Sequence, residues 1–260
     1  MTTYEDIIVE RDVAPGVTLI RLNRPARLNA MRFQSYAELT DALTGLETGA
    51  LVITGEGRGF CSGDDVDAVF NRGEGDGVDM GENPGLQSVA AQLLYAPYPI
   101  VAAVNGVAVG WGMELALMAD LRLASTTARF AEFFVLRGQM ADVASLVRLQ
   151  QLIGREAATR LLLTGEMIDA QTARELGLVT DVVEPDALLP AALDLATTLA
   201  SRAPLAVRAI KEGLRRASEP DWHEFASWAA PTHARLFKTA DHREAVKAFL
   251  EQREPHFTGS

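Results

Sequence analysis

The chain alternates short apolar runs with segments whose apolar residues recur at helical spacing. Apolar runs bounded by turn residues predict strands at Ile7–Val9, Val17–Leu22, Ala50–Thr54, Ile100–Val104, Leu121–Ala124 and Val179–Val183. Helical spacing predicts helices over Arg32–Leu46, Leu86–Tyr95, Met113–Met118, Glu156–Thr164 and Ala187–Arg202. Strands that alternate with helices in this way are typical of an α/β fold with parallel strand pairing.

The pattern changes toward the C-terminus. Beyond about Arg202 no further strand is predicted, and Pro204–Gln252 shows helical spacing only. We therefore expect two regions, a core of residues 1–202 and a helical region of residues 203–260. Within the core, Asn71–Gly85 is rich in glycine and acidic residues and has few apolar ones, which predicts a mobile surface loop beside the substrate pocket.

Composition narrows the classes of chemistry. The chain has 260 residues, of which 24 are Lys or Arg and 35 are Asp or Glu, and the resulting net charge of −11 argues against nucleic acid as the main partner. Cys61 is the only cysteine, so we expect it to pack in the core and expect neither a disulfide nor a cysteine-based zinc site. No histidine or lysine precedes Lys211. Acid–base chemistry in the core therefore has to rest on carboxylates and backbone dipoles.

No targeting or membrane-spanning segment is expected. Met1–Glu10 is polar and acidic, unlike a secretory signal. The longest apolar stretch, Pro99–Val104, is far shorter than the ~20 residues that a membrane helix needs. We therefore expect a cytoplasmic protein without a membrane partner.

Two glycine-containing turns follow buried strands. Gly59–Asp65 comes after the strand at Ala50–Thr54, and Asn105–Glu114 comes after the strand at Ile100–Val104. Free N–H groups at the start of a helix can receive an oxyanion, so two such turns could together stabilise an enolate or a tetrahedral intermediate. The alternative is that the glycines only permit tight turns between strand and helix.

Several stretches of the chain occur together in the order and at the spacing of motifs shared by one family. They are Leu22–Ala30, Val52–Asp65, Pro99–Leu117, Ala128–Phe130, Leu163–Ala173, Gly177–Val179 and Ala248–Glu251. On these motifs the sequence resembles the enoyl-CoA hydratase/isomerase (crotonase) superfamily over nearly its whole length. The resemblance implies a core wound as a spiral of ββα turns, C-terminal helices that build trimers or hexamers, and an acyl-CoA thioester as substrate. It implies no metal and no separate cofactor, since coenzyme A is part of the substrate.

The resemblance also implies where the thioester binds. The oxyanion-hole amides would be those of Ser62 and Trp111, where tryptophan replaces the small residue usual in the family. The indole either crowds the pocket or simply packs beside it. The residues expected to contact coenzyme A are Arg24, Arg27, Ser62, Asp64, Phe249 and Arg253, and the glutamine before Arg253 replaces a usual lysine.

Two positions bear on which reaction is catalysed. Hydratases of the family use two glutamates, of which the first corresponds to Glu114 and the second to Phe134, which cannot transfer protons. Glu132 is a weak substitute, because a residue two positions away along a strand is about 7 Å distant. The stretch Gly138–Val143 resembles one that carries an active aspartate in dienoyl-CoA isomerases, ring-epoxide isomerases and chlorobenzoyl-CoA dehalogenases. That aspartate corresponds to Asp142, which could instead cap the helix that follows.

We therefore expect Glu114 and Asp142 to flank the acyl chain in an apolar pocket, with their pKa values raised by burial. The expected lining residues are Trp111, Phe133, Phe134 and Met140. Two separated carboxylates and an oxyanion hole suit the transfer of a proton between two carbons through a thioester enolate, which is double-bond isomerisation. The alternatives are hydration of a 2-enoyl-CoA and a protein that binds CoA esters without activity.

Overall fold

The computed structural model describes residues 3–69 and 88–260, so the predicted loop Asn71–Gly85 lies outside the described residues. The strands of the described part are β1 (Ile7–Ala14), β2 (Val17–Leu22), β3 (Ala50–Gly55), β4 (Gly59–Cys61), β5 (Ile100–Val104), β6 (Val107–Val109), β7 (Leu121–Ser125), β8 (Arg129–Ala131), β9 (Ile168–Asp169) and β10 (Asp181–Val183).

The helices are α1 (Phe33–Leu43), α2 (Val66–Val69), α3 (Ser88–Leu94), α4 (Trp111–Met118), α5 (Gln150–Ile153), α6 (Arg155–Thr164), α7 (Ala170–Leu176), α8 (Pro185–Ala200), α9 (Pro204–Ser218), α10 (Trp222–Phe237) and α11 (Ala240–Leu250). Two 3₁₀ turns at Pro25–Arg27 and Val135–Arg137 and a π-helix at Ser145–Leu149 accompany them.

The large sheet has six strands in the order β1-β2-β3-β5-β7-β10. Strands β1 and β2 form an antiparallel hairpin, and all other neighbours run parallel, which confirms the predicted α/β arrangement. Every residue of β3 and β5 is buried, as expected for strands covered on both faces. Helix α8 covers one face with Leu188, Ala192 and Ala196, and the other face packs into the main core.

A second sheet joins four short strands in the order β4-β6-β8-β9. The chain runs from β3 through β4 to α2, and again from β5 through β6 to α4, so that a long strand, a short strand and a helix repeat. This repeat is the ββα architecture that the resemblance implies. It places the turn after β4 beside the turn after β6, because β4 and β6 pair in parallel.

Helices alone follow residue 202, as predicted. Helix α9 has no buried residue and exposes Leu205, Ile210 and Leu214 at 79%, 62% and 63%. Helix α10 returns to the main core, where Trp222, Ala226 and Ala229 are buried. Helix α11 packs on the 3₁₀ turn Val135–Arg137. Among the helices of residues 3–69 and 88–260, none is both long and apolar enough to cross a membrane.

Candidate active site

The two glycine turns meet, and glycine is required at their contact. A Cβ atom on Gly112 would lie 2.1 Å from the carbonyl oxygen of Cys61 in the facing turn. Gly63 has a φ of +88°, and a Cβ atom there would lie 3.0 Å from the Val109 carbonyl oxygen and 3.6 Å from the Trp111 nitrogen. The glycines therefore permit a close approach of two backbones, and they bring the turn after β4 against the first residue of α4.

The backbone amides of these turns do not all have free N–H groups. The Ser62 N–H donates to the Leu28 carbonyl at 3.0 Å, so Ser62 does not supply the predicted oxyanion-hole donor in this structure. The segment after Leu28 runs parallel to the turn and forms a β-bridge with it. The Met31 N–H donates to the Gly63 carbonyl, and the Asp65 N–H donates to the Met31 carbonyl, both at 2.8 Å. The N–H groups of Ser62 and Asp65 are thereby occupied, and the N–H of Asp64, which lies between them, has no acceptor in residues 3–69 and 88–260.

The second predicted donor is the N–H of Trp111, at the start of a helix. Trp111 is the first residue of α4, and Glu114 is the first residue whose N–H closes a helical hydrogen bond, to Gly110 at 3.0 Å. Within the described residues the Trp111 N–H has no acceptor. Asp64 and Trp111 are therefore two available amides beside the contact, and the second lies at the positive end of a helix dipole.

A cavity of about 920 Å³ opens beside these two amides. Several residues predicted for the site line it, namely Arg27, Ser62, Asp64, Trp111, Phe133, Phe134, Asp142 and Phe249. The cavity lining does not include Arg24, Glu114, Met140 or Arg253. Aromatic rings and small residues make up much of its wall, so a bound chain would contact mainly apolar surface with few polar groups.

Three aspartates line this cavity: Asp65, which is paired with Arg24, and Asp64 and Asp142. The Tyr36 hydroxyl donates to Asp64 Oδ1 at 2.6 Å. Burial raises the pKa of Asp64 to about 6; the hydrogen bond from Tyr36 opposes this change, and the negative charge of Asp142 adds to it. The Tyr36 ring meets Trp111 edge to face, with centroids 4.7 Å apart. Burial, and next the charge of Asp64, raise the pKa of Tyr36, so its hydroxyl remains a donor.

Sequence reasoning missed Tyr36 and counted it only as an apolar position of the first helix. A tyrosine on a buried helix face needs a partner for its hydroxyl, and that requirement is the signal available in the sequence. Asp64, predicted as a coenzyme A contact, is instead a cavity carboxyl bonded to this tyrosine.

Asp142 precedes the helical segment that leads into the π-helix. Its Oδ1 accepts the N–H of Val143 at 2.8 Å, and its carbonyl accepts the N–H of Leu146 at 3.2 Å. These bonds fix the residue at the start of a helix, as the capping alternative requires, and the side chain also lines the cavity. The two interpretations of Asp142 are therefore compatible.

Glu114 lies behind the cavity wall and is fully buried. Its carboxyl oxygens accept the Ser145 N–H at 3.1 and 3.3 Å. Burial raises the pKa of Glu114 to about 8, and the charge of Asp142 acts in the same direction. The Ser145 hydroxyl bonds to Glu132, whose pKa burial raises well above its ordinary value, with the charge of Glu114 contributing next. Glu132 is thus an interior partner of Ser145 and does not line the cavity beside Phe134.

Two arginines predicted to contact coenzyme A are engaged in ion pairs. Arg24 lies 2.9 Å from Asp65 and therefore ties the turn after β4 to the preceding 3₁₀ turn. Arg253 bonds to Glu244 and lies 2.7 Å from Glu251. Arg27 is exposed and lies at the cavity.

The only cysteine is a core residue, as predicted. Cys61 has no exposed surface, and burial raises the pKa of its thiol to about 12. A neutral, buried thiol is a poor nucleophile.

Comparison with known proteins agrees with the fold. The family model described as Enoyl-CoA hydratase/isomerase matches residues 12–260. The chain is 36% identical to the Mycobacterium bovis protein named "Probable enoyl-CoA hydratase echA8", over 98% of this chain and 99% of that one. It is 33% identical to the 1,2-epoxyphenylacetyl-CoA isomerase of Escherichia coli, over 95% of this chain and 97% of that one.

A solved structure of an enoyl-CoA hydratase/isomerase from Pseudoalteromonas atlantica T6c superposes with a TM-score of 0.86 at 31% identity. The alignment covers 98% of this chain and all of that chain. The fold similarity and the match along nearly the whole chain lead to one conclusion: the chain belongs to the enoyl-CoA hydratase/isomerase family, whose members act on acyl-CoA thioesters.

Proposed function

We propose that this enzyme isomerises the double bond of an enoyl-CoA, moving it between the 3,4 and 2,3 positions. The observation that carries the proposal is the polarity of the cavity wall. Two aspartate carboxyls, Asp64 and Asp142, line it beside two available amides. An aromatic ring, Phe134, lines it at the position that resembles the second hydratase glutamate.

In the proposed mechanism the thioester carbonyl accepts the N–H groups of Asp64 and Trp111. Asp142 removes a proton from C2 of a 3-enoyl thioester, and the electrons form a dienolate whose negative charge rests on the carbonyl oxygen. The carbonyl re-forms as C4 takes a proton, which leaves the double bond between C2 and C3. The two amides stabilise the intermediate most strongly when its oxygen is charged, and one such donor contributes ~3–4 kcal/mol in other enzymes.

The remaining carboxyls have supporting roles in this proposal. Asp64, held by Tyr36, is the second cavity acid and is placed to share the transferred proton with Asp142. Glu114, whose pKa burial raises to about 8, is largely protonated near neutral pH. A protonated Glu114 does not add a second buried negative charge next to Asp142 when the enolate forms.

Hydration of a 2-enoyl-CoA is the second candidate. The relative from Mycobacterium bovis is named as a hydratase, which favours it. Against it stands Phe134, since a ring cannot hold or deprotonate the attacking water. In a hydratase of this kind, Asp142 would have to position the water in place of the second glutamate.

The two candidates differ in their products. Incubation with trans-3-hexenoyl-CoA is expected to give the conjugated 2-enoyl thioester, followed by its ultraviolet absorbance, with no hydroxyacyl product by mass spectrometry. A hydroxyacyl product from crotonyl-CoA without isomerisation of the 3-enoyl ester would establish the hydratase. Turnover of neither ester, with both still bound, would establish a binding protein without activity.

We also propose that the chain assembles as a trimer or as a dimer of trimers through its C-terminal helices. Exposed Leu205, Ile210 and Leu214 on α9 support this, because a row of exposed large apolar side chains is typical of a surface covered by a partner. Light scattering on the wild type and on Ile210→Glu tests it. A monomeric mass for the wild type would contradict the assembly.

A further inference from the structure

A tight turn in the cavity wall carries two polar side chains. The turn follows Phe134, whose carbonyl accepts the N–H groups of Arg137 and Gln139, each at 2.9 Å. Gly138 stands between them with a φ of +65°, and a Cβ atom there would lie 3.0 Å from the backbone of His242. The turn is therefore held firmly against α11, and both of its polar side chains line the same cavity as Asp142.

Gln139 has no hydrogen-bond partner for its side chain. The residue is only 7% exposed, yet neither its Oε1 nor its Nε2 meets a donor or acceptor in the described portion of the chain. Buried amide groups are nearly always hydrogen-bonded, because burial removes water without replacing it. A side chain left in this state in a cavity wall indicates a polar group supplied by the ligand.

Arg137 is a cation that no described acid neutralises. Its guanidinium lies 3.9 Å from the centroid of the Phe249 ring, which orients it. The ion pairs and side-chain hydrogen bonds of residues 3–69 and 88–260 do not involve this guanidinium. It is partly buried, and burial lowers the pKa of Arg137. A planar guanidinium beside an unpartnered amide matches the oxygens of a carboxylate or phosphate.

The position of the turn favours the acyl chain over coenzyme A as the source of that anion. Gln139 and Asp142 are three residues apart, so their Cα atoms lie within about 11 Å of each other. An anionic group bound at the turn would thus be separated from the reacting carbons by a short chain. Arg27 is a second arginine that lines the cavity, and it is exposed.

We propose that Arg137 and Gln139 form a subsite for a carboxylate at the distal end of the acyl chain, so that the preferred substrates are CoA esters of dicarboxylic acids. The proposal rests on the proposed acyl-CoA site and does not depend on which reaction occurs there. The carboxylate accepts hydrogen bonds from the guanidinium and from Nε2 of Gln139, while the methylene groups contact the aromatic wall.

Binding of saturated esters tests the subsite without turnover, so that a failure of the proposed isomerisation does not affect the result. Adipoyl-CoA and hexanoyl-CoA have the same number of acyl carbons and differ in the terminal carboxylate. Calorimetric titration of the wild type is expected to give a Kd at least about tenfold lower for adipoyl-CoA, which corresponds to about 1.4 kcal/mol.

Variants identify which side chain binds the carboxylate. Arg137→Leu is expected to weaken the binding of adipoyl-CoA alone and so to remove the preference for adipoyl-CoA over hexanoyl-CoA. Arg137→Lys is expected to retain part of this preference, and Gln139→Leu is expected to reduce it. Arg27→Leu is the matched control from the same cavity and is expected to weaken both esters equally. Melting temperatures show that each variant is folded.

Three results would overturn the proposal. Equal or tighter binding of hexanoyl-CoA by the wild type would show that no carboxylate is recognised. Equal weakening of both esters by Arg137→Leu would assign the arginine to a phosphate of coenzyme A. Binding of neither ester would show that the cavity does not hold an acyl chain.

Discussion

Replacement of Glu114 by glutamine tests the buried carboxyl behind the active site. Burial raises the pKa of Glu114 to about 8 from an ordinary value of 4.5. Between these two pH values the folded protein keeps a proton that the unfolded chain has released. The free energy of unfolding therefore falls as pH rises through this window, and the contribution of Glu114 levels off above about pH 8.

The magnitude follows from the width of the window. Each pH unit between 4.5 and about 8 reduces the unfolding free energy by at most about 1.4 kcal/mol, so the whole window amounts to roughly 5 kcal/mol as an upper limit. Glutamine does not titrate, and its Oε1 can still accept the Ser145 N–H. Glu114→Gln is therefore expected to gain stability relative to the wild type as pH rises.

The assay is urea denaturation of both proteins at pH 5, 6, 7 and 8, at one protein concentration because assembly also contributes to stability. Any change in packing adds an offset that does not vary with pH, so the slope is the informative quantity. Glu156→Gln, at an exposed position of α6, is the control and should show no slope. A wild-type-to-variant difference that stays constant from pH 5 to 8 would refute the raised pKa of Glu114.

Three further substitutions test the catalytic arrangement. Asp142→Asn is expected to lower turnover of a 3-enoyl-CoA by ~10²-fold or more, the scale of a lost acid–base group, and wild-type turnover would remove its assignment. Tyr36→Phe removes the hydrogen bond that lowers the pKa of Asp64, so the basic limb of the kcat/KM profile, where this acid loses its proton, should move to higher pH; an unmoved limb would contradict that role. Gly112→Ala places a Cβ atom 2.1 Å from the facing carbonyl oxygen and should abolish turnover and lower the melting temperature, whereas Gly213→Ala, with no atom within 4 Å, should leave both intact.

The long elements of the core could be predicted from local pattern. Val17–Leu22 and Ile100–Val104 are strands over the predicted residues, and the second is apolar throughout because both of its faces are buried. The short strands of the second sheet could not be predicted in this way. Arg129–Ala131 is a strand only because it pairs with a segment far away in the sequence, and its three residues carry no periodic pattern of their own.

Helix α7 was missed for a different reason. Its buried positions are Ala170 and Ala173, and alanine gives a weak apolar signal. Its start does carry a capping signal, since the Asp169 side chain accepts the Thr172 N–H at 2.8 Å. Capping residues therefore identify this helix better than hydrophobic periodicity does.

The site shows a similar division between local and distant determinants. The glycine turns could be located from sequence, because close backbone approach requires glycine at positions such as Gly112. Which amide remains available could not be predicted. The Ser62 N–H donates to the Leu28 carbonyl, which lies more than thirty residues away along the chain. The ion pair of Arg24 could not be predicted either, because it depends on where the fold places Asp65.

The protonation of the carboxyl groups that line the cavity bears on the proposed chemistry. An enolate brings one more negative charge into a space already bordered by Asp64 and Asp142, and the amides can stabilise it only if the neighbouring carboxyls do not ionise together. Burial raises the pKa of Asp64 to about 6, and an acyl chain bound in the cavity would remove further water from this carboxyl. The hydroxyl of Tyr36 opposes this effect at Asp64, so a residue outside the two glycine turns also sets the pKa of this acid. A raised pKa suits Asp64 to return a proton to carbon after Asp142 has removed one, as the proposed transfer between two carbons requires.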